Sequence, residues 1–198
     1  LMPSPATPSQ WRAAAAELAG RDGVLAGLHR RHGAPTIGRG VRADRRFAAL
    51  AESIAYQQLA GRAAATIWSR VVAAVGDPFT PDAVLATPVD ALRAAGLSGA
   101  KAAALVDLAT RSADGTLRLE RLGRLTDDEV VAHLTVVRGI GPWTAQMFLL
   151  FDLHRLDVWP TGDYGVRAGY ARAFGLDDTP TEREMGALGS PFAPFRSV

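Results

Sequence analysis

Apolar residues recur along most of the chain at the three- to four-residue spacing of helices that bury one face. Alternating, β-branched runs typical of strands are hard to find. The pattern therefore predicts an all-α fold. The predicted helical segments are 11–19, 23–31, 47–75 with a break near residue 61, 90–95, 101–110, 126–137, 142–151 and 163–174.

Capping signals support several of these boundaries. Thr126 is followed three residues later by Glu129, which is the capping-box pattern. Thr80 precedes Pro81, so a cap residue stands directly before a proline that suits the first helical position. The first ten residues are rich in Pro and Ser, and we expect them to form a disordered lead-in rather than a signal peptide.

Composition limits the chemistry that this sequence offers. Cys is absent, which excludes disulfides, thiolate catalysis and Cys-ligated zinc or iron–sulfur clusters within these residues. No apolar run approaches the roughly 20 residues of a membrane-spanning helix. The net charge is +2, and every cationic residue except Lys101 is Arg. Arginine suits phosphate contacts, but a GC-rich genome explains the same bias, and so small a charge does not indicate nucleic-acid binding by itself.

The most informative segment is 134–145, Leu-Thr-Val-Val-Arg-Gly-Ile-Gly-Pro-Trp-Thr-Ala. A helix is expected to end at Gly139, which suits the left-handed cap conformation, and another to begin at Pro142. Gly141 between them leaves the backbone open to another molecule. The amides that open the second helix would then bind an anion such as a DNA phosphate. For Gly-x-Gly alone, an ordinary helix–turn–helix corner is the better interpretation.

The full string resembles the helix-hairpin-helix motif of the base-excision DNA glycosylase superfamily. Five residues are assigned to this DNA-binding hairpin: Gly139, Ile140, Gly141, Trp143 and Thr144. A second family motif follows about twenty residues later, at 158–167, and its Asp163 matches the family's catalytic Asp. Similar segments at 47–67, 96–101 and 191–196 extend the resemblance from about residue 20 to the end. The subfamily it resembles is 3-methyladenine DNA glycosylase II, which repairs alkylation damage.

The resemblance implies two helical lobes with a DNA- and base-binding cleft between them, and a helix-hairpin-helix followed by a Gly/Pro-rich loop with the catalytic Asp. One glycosylase domain is expected over 1–198, with a lead-in at about 1–10, a six-helix lobe at about 47–160 and a second lobe from about 11–46 and 161–198. The expected partner is double-stranded DNA containing damaged bases, with no membrane association. A cytoplasmic, bacterial nucleoid-associated monomer is expected.

The position of lysine separates two reactions within this superfamily. In bifunctional relatives such as endonuclease III and 8-oxoguanine glycosylase, a Lys two positions after the Gly-x-Gly attacks the sugar as a Schiff-base nucleophile. Trp143 holds that position here, and Lys101 lies in a different loop. The resemblance therefore implies a monofunctional hydrolase, without AP lyase activity, that removes alkylated bases of the 3-methyladenine or 7-methylguanine type.

Two roles follow from the resemblance. Asp163 would stabilise the oxocarbenium-like sugar and orient or deprotonate water; alternatively it caps the helix that begins at Tyr164, and the two roles are compatible. Gln58 would fill the gap left by an extruded nucleotide, flanked by Gln57 and Leu59. The alternative for this Gln-Gln pair is a plain helix end.

Base recognition would use aromatic side chains, because alkylated purines carry positive charge and stack on aromatic rings. The candidates are Trp143, Tyr56, Tyr164 and Trp159, each of which could instead belong to the core. No cofactor is required and no iron–sulfur cluster is expected. The family's hairpin implies a structural Na⁺ or K⁺ held by the backbone carbonyls of three residues: Thr135, Arg138 and Ile140.

Three other interpretations remain open from sequence. A non-catalytic helix-hairpin-helix protein would recognise DNA structure without chemistry, but it would not need Asp163 and Gln58. A glycosylase for mismatched or oxidised bases is disfavoured by Trp143. A purely structural helical bundle would not explain the hairpin and Asp163 together.

Overall fold

The computed structural model describes residues 5–38, 40–59 and 61–198. Within these ranges the secondary structure is helical and no residue belongs to a strand, which confirms the all-α prediction. No helix in the same ranges is long and apolar enough to cross a membrane. The α-helices are α1 (Pro8–Arg21), α2 (Gly23–His32), α3 (Arg46–Tyr56), α4 (Gly61–Val75), α5 (Pro81–Ala86), α6 (Val89–Ala94), α7 (Gly99–Ala113), α8 (Asp127–Leu134), α9 (Pro142–Met147), α10 (Tyr164–Phe174) and α11 (Glu182–Leu188).

The described residues divide into two compact units. The central unit is Val41–Ala145, and the terminal unit combines the described residues up to Gly40 with Gln146–Val198. The sequence-based lobes had their boundaries near residues 46 and 160, so the second observed boundary lies earlier in the chain, within α9.

Helix α3 organises the central unit and packs against α4 and α7. Its apolar stripe buries Leu50 and Ile54 almost completely, and α7 contributes Leu105 and Leu108, which are equally buried. Burying a Leu or Ile side chain contributes about 1.5–3 kcal/mol each. The paired helices therefore form a firm base for the loops at their ends.

The terminal unit contains an aromatic cluster. The rings of Tyr170 and Phe174 stack with their centroids 4.4 Å apart, and Phe192 packs 6.3 Å from Tyr170. Trp159 meets Tyr170 edge-on at 6.4 Å, and its indole N–H donates to the Met185 carbonyl at 2.6 Å. Trp159 is therefore fixed by packing and by a hydrogen bond.

The expected disordered lead-in is wrong for residues 5–10, whereas residues 1–4 lie outside the described ranges. Helix α1 begins at Pro8, and Thr7 and Gln10 form a capping box in front of it. Ala6 is buried, and its N–H donates to the His154 carbonyl at 3.1 Å. The Pro/Ser composition concealed a regular helix start, with a cap residue followed by proline.

Two helices end earlier than predicted. Helix α8 stops at Leu134 rather than 137, because the chain turns there and the Val137 N–H donates to the Leu134 carbonyl at 3.1 Å. The β-branched run Thr135-Val136-Val137 has low helix propensity, which explains the early end. Helix α9 ends at Met147 and continues as a π-helical turn over Phe148–Asp152.

Helix α11 was missed by the pattern of apolar residues, which is short and weak there. It begins with a capping box formed by Thr181 and Glu184, the same signal as Thr126 and Glu129 at α8. A search for capping boxes alone would have found it.

Candidate functional site

The hairpin between α8 and α9 has two glycines with different structural demands. Gly139 has φ +77°, the left-handed conformation predicted for it, and an added Cβ would lie 3.2 Å from Cβ of Ala104. Gly141 has no atom within 4 Å of the position that a Cβ would occupy. The fold therefore requires a glycine at 139, whereas at 141 the absence of a side chain leaves open surface.

The other hairpin residues divide into buried and exposed side chains. Ile140 and Thr144 are buried, so they can offer a ligand little beyond their backbone groups. Trp143 leaves 46% of its surface exposed. Among the five residues assigned to the hairpin, Trp143 therefore presents the largest exposed side chain.

The loop after α3 presents Gln58 to solvent. Gln58 is exposed and has φ +57°, a left-handed conformation that costs a non-glycine residue about 1–2 kcal/mol. Leu59 beside it is 40% exposed. Such local strain is often found where a loop tip serves a ligand. The exposure of Gln58 suits the plug role that the sequence suggested.

Gln57 has a different environment from its neighbour. It is half-buried, and its side-chain amide donates to the Gly139 carbonyl at 2.9 Å and to Oγ1 of Thr144 at 3.4 Å. The side chain therefore joins the loop after α3 to the hairpin. This contact was not predicted from the sequence, where Gln57 was assigned to the plug beside Gln58.

These segments together line a concave surface in the central unit that encloses a volume of about 610 Å³. Its lining residues are Ser53, Tyr56, Gln57, Gln58, Leu59, Gly139, Trp143 and Thr144. Two of the predicted base-pocket aromatics and all three predicted plug residues thus share one surface with the hairpin. Ser53 was not predicted; it lies on α3 one helical turn before Tyr56, the last residue of that helix.

Helix α7 supplies two polar anchors, Lys101 and Asp107, whose contacts were not predicted. The placement of Lys101 in a loop is wrong, because this residue lies in the first turn of α7. The Lys101 ammonium donates to the carbonyls of Ala55 and Gln57 at 2.9 and 2.6 Å, and its burial lowers its pKa. Asp107 Oδ2 accepts the backbone N–H of Arg138 at 2.8 Å and Nε of Arg111 at 3.0 Å. Burial alone would raise the pKa of Asp107, but these hydrogen bonds outweigh it and hold the pKa below its usual value.

Asp163 is the N-cap residue of α10. Its Oδ1 accepts the Val166 N–H at 3.0 Å, and its own N–H donates to the Pro160 carbonyl at 3.0 Å. A Cβ added at Gly165 would lie 3.1 Å from Oδ1 of Asp163. The carboxylate is half-buried and held in a defined orientation, so the capping role weighed from sequence is real.

The two remaining pocket candidates, Tyr164 and Trp159, belong to the terminal unit. Tyr164 is 68% exposed, and the Arg167 guanidinium lies 5.7 Å from its ring centroid. Trp159 packs in the aromatic cluster, and its indole N–H donates to the Met185 carbonyl. Trp159 therefore has a packing role.

The carbonyls of Thr135, Arg138 and Ile140 lie beyond the end of α8. Between them, the Val137 carbonyl accepts from Ile140 N at 3.1 Å and the Gly139 carbonyl accepts from Gln57. Among the described residues no group of three or more His, Cys, Asp or Glu side chains could hold a metal ion. Neutral backbone oxygens suit a weakly bound monovalent cation better than a transition metal.

A comparison with protein families matches residues 51–194 to the HhH-GPD superfamily base excision DNA repair protein model. A DNA-3-methyladenine glycosylase of Saccharomyces cerevisiae is 36% identical over 149 residues, which are 70% of this chain and 50% of that protein. DNA-3-methyladenine glycosylase 1 of Schizosaccharomyces pombe is 33% identical over 152 residues, 75% of this chain and 67% of that protein. The chain thus spans about half to two thirds of the length of these relatives.

Solved structures agree in fold. The 3-methyladenine DNA glycosylase of Schizosaccharomyces pombe in complex with abasic DNA superposes with a TM-score of 0.82 at 30% identity, covering 93% of this chain and 91% of that one. A DNA-3-methyladenine glycosidase from Bacillus halodurans gives a TM-score of 0.82 at 28% identity, covering 97% and 85%. With a family model that covers most of the sequence and a helical fold shared over almost its whole length, this chain belongs to the HhH-GPD superfamily of base excision DNA repair proteins.

Proposed function

We propose that this protein is a monofunctional DNA glycosylase that hydrolyses the N-glycosidic bond of alkylated bases, of the 3-methyladenine or 7-methylguanine type, in duplex DNA. Its relatives named as 3-methyladenine glycosylases support the substrate class. The observation that carries the catalytic assignment is the half-buried Asp163 carboxylate, held by the Val166 amide in the loop that follows the hairpin. We expect the protein to act as a monomer on chromosomal DNA.

Duplex binding is assigned to the hairpin. The backbone around Gly141 is open, so a phosphate can approach its amides without meeting a side chain. Contact through backbone amides is independent of base sequence, as a repair enzyme that searches long stretches of DNA requires.

Extrusion of the damaged nucleotide is assigned to Gln58 with Leu59 beside it. A base inside the stack does not expose its glycosidic bond, and removing it costs a few kcal/mol. The exposed, left-handed Gln58 can enter the vacated space and offer its amide to the orphaned partner base. Leu59 adds apolar contact with the neighbouring bases.

The chemical step is assigned to Asp163. The bond between C1′ and the base nitrogen breaks with its electron pair leaving on the base, which departs neutral when the alkylated purine was cationic. The deoxyribose becomes oxocarbenium-like, and a fixed carboxylate stabilises that charge. Water then adds to C1′ and gives its proton to Asp163 or to solvent.

The hydrolytic assignment agrees with the environment of Lys101. Its ammonium already donates to two backbone carbonyls, and burial is the cause of its lowered pKa. Trp143 stands where bifunctional relatives carry their lysine. Trp143 and Tyr56 on the concave surface are proposed to stack against the alkylated base, with Tyr164 as a further candidate.

The backbone carbonyls of Thr135, Arg138 and Ile140 are proposed to hold a monovalent cation, which would supply positive charge at the hairpin for a DNA phosphate. Replacing Na⁺ and K⁺ by choline at constant ionic strength should then weaken duplex binding. Equal affinity in both salts would exclude this role for the ion.

The function is tested by incubating the protein with duplex DNA containing N3- or N7-methylated purines and measuring free base and abasic sites. Release of methylated base without strand cleavage, and no product trapped by borohydride, is the expected result. Binding without release on any damaged duplex would favour the non-catalytic DNA-binding alternative.

A further inference from the structure

One side of helix α7 touches both loops that the proposed function assigns to DNA. Lys101, Ala104 and Asp107 follow one another at three-residue spacing, so each is a neighbour of the next along the helix surface. Lys101 contacts the loop after α3, whereas Ala104 and Asp107 contact the hairpin. Helix α7 itself packs against α3.

Lys101 holds the end of α3. The carbonyls of Ala55 and Gln57 come at the helix C-terminus, where backbone oxygens lack intrahelical partners and carry partial negative charge. The ammonium satisfies both oxygens just before the chain turns into the left-handed Gln58. Without the Lys101 ammonium, the C-terminus of α3 would lose the cation that balances its partial negative charge. The loop after α3 would also lose the hydrogen bond that holds Gln57.

Ala104 and Asp107 hold the hairpin in two ways. The small Ala104 side chain lies against Gly139, where even one added carbon would stand 3.2 Å from it. The Asp107 carboxylate accepts the N–H of Arg138, the residue before that glycine. The hairpin turn is therefore fixed by contact and by a charge-assisted hydrogen bond.

We propose that Lys101, Ala104 and Asp107 form a positioning frame on α7 that fixes Gln58 relative to the hairpin, so that the plug enters the duplex in register with the phosphate contact. The frame rests on the proposed function and adds residues that do not touch DNA. The Gln57 side chain joins the same two loops directly. The loop after α3 and the hairpin are therefore connected both to α7 and to each other.

The test uses duplex DNA with 2-aminopurine opposite a stable abasic-site analogue. Its fluorescence reports entry of the plug into the stack, whether or not any base is released. Two matched pairs of variants are compared: Lys101→Met with Lys101→Arg, and Asp107→Leu with Asp107→Asn. In each pair the second variant keeps a group that can make the hydrogen bond. The control Thr80→Ala removes the cap of α5, a helix that packs against α7, and touches neither loop.

Lys101→Met should reduce the fluorescence change about 10-fold or more, while affinity for undamaged duplex stays within about twofold. Asp107→Leu should weaken binding to every duplex about 10-fold, because the hairpin is displaced. Lys101→Arg and Asp107→Asn should restore most of each loss, and Thr80→Ala should change neither readout.

The frame is overturned if Lys101→Met inserts its plug as the wild type does, or if every variant loses both signals only in proportion to its loss of melting temperature. The conservative variants would then show no specific rescue. If the wild-type protein inserts its plug but releases no damaged base, the proposed glycosylase activity fails while the frame is still decided by fluorescence and binding.

Discussion

The side-chain amide of Gln57 donates to the carbonyl oxygen of Gly139 across 82 residues of sequence, at 2.9 Å. This hydrogen bond connects the loop that carries Gln58 to the hairpin that is proposed to hold the DNA backbone. A neighbour of the plug thus serves as a tie between two segments, because its side chain is half-buried rather than presented to solvent.

Removing the hydrogen bond between Gln57 and Gly139 should make the positions of both loops less defined, with a small loss of stability. Gln57→Met keeps the length of the side chain but donates no hydrogen bond, so the free energy of unfolding should fall by about 1 kcal/mol. The rate of base release at low substrate concentration should fall by more than the loss of folded protein accounts for. Chemical denaturation and single-turnover kinetics measure the two effects, and unchanged kinetics would show that the tie does not matter for the reaction.

Substitutions of Gln58 should affect stability and base release in different ways. Gln58→Gly relieves the left-handed strain and should raise the free energy of unfolding by about 1 kcal/mol, whereas Gln58→Ala keeps the strain. Both variants lose the amide that enters the duplex, so both should release damaged bases more slowly. If Gln58→Gly were fully active, the plug assignment would be wrong.

The two hairpin glycines should respond in opposite ways. Gly139→Ala meets Ala104 and a φ of +77°, so it should lower the melting temperature. Gly141→Leu meets open space and should leave the melting temperature unchanged while weakening binding to all duplexes alike. Differential scanning calorimetry measures the melting temperature, and fluorescence anisotropy measures the affinity for duplex DNA. Normal DNA affinity of Gly141→Leu would remove the hairpin from the proposed interface.

Acid should weaken the terminal unit through Asp157. Arg196 donates to both carboxylate oxygens, at 2.7 and 2.8 Å. Burial alone would raise the pKa of Asp157, but these bonds and the Arg196 charge lower it below the usual 3.8. A depressed folded-state pKa means that the stabilisation is present above the unfolded pKa and is lost as pH falls through the folded one. Stability should therefore fall below about pH 4.

That pH dependence has a matched control. Asp157→Asn cannot ionise, so its stability at neutral pH should be lower and its decline in acid shallower than that of the wild type. Denaturant titrations between about pH 2 and 7 measure both curves. Parallel curves for the two proteins would mean that the ion pair contributes nothing to acid unfolding.

The features foreseen from sequence were those with a local signature. The capping box at Thr126, the left-handed Gly139 and the cap at Asp163 each depend on residues within a few positions, and the structure has them as predicted. Lys101 and Asp107 escaped notice because their partners are backbone groups of segments far along the chain. A backbone carbonyl or amide has no residue type, so no spacing in the sequence could point to it.

For Trp159, both a base-pocket role and a core role were open from the sequence. An aromatic residue next to a predicted catalytic loop is equally compatible with a base pocket and with a core. Only its ring contacts with Tyr170 and its hydrogen bond to Met185 distinguish the two.

Promotion of base release by the Asp163 carboxylate can be tested with the variant Asp163→Asn. The asparagine side-chain oxygen can still accept the Val166 N–H, so α10 keeps its cap while the negative charge is lost. The measurement is single-turnover release of 7-methylguanine from duplex DNA at saturating enzyme, with affinity and melting temperature recorded alongside. We expect base release to slow by about 100-fold or more, with affinity and melting temperature unchanged. Release at the wild-type rate by a folded, DNA-binding Asp163→Asn protein would contradict it.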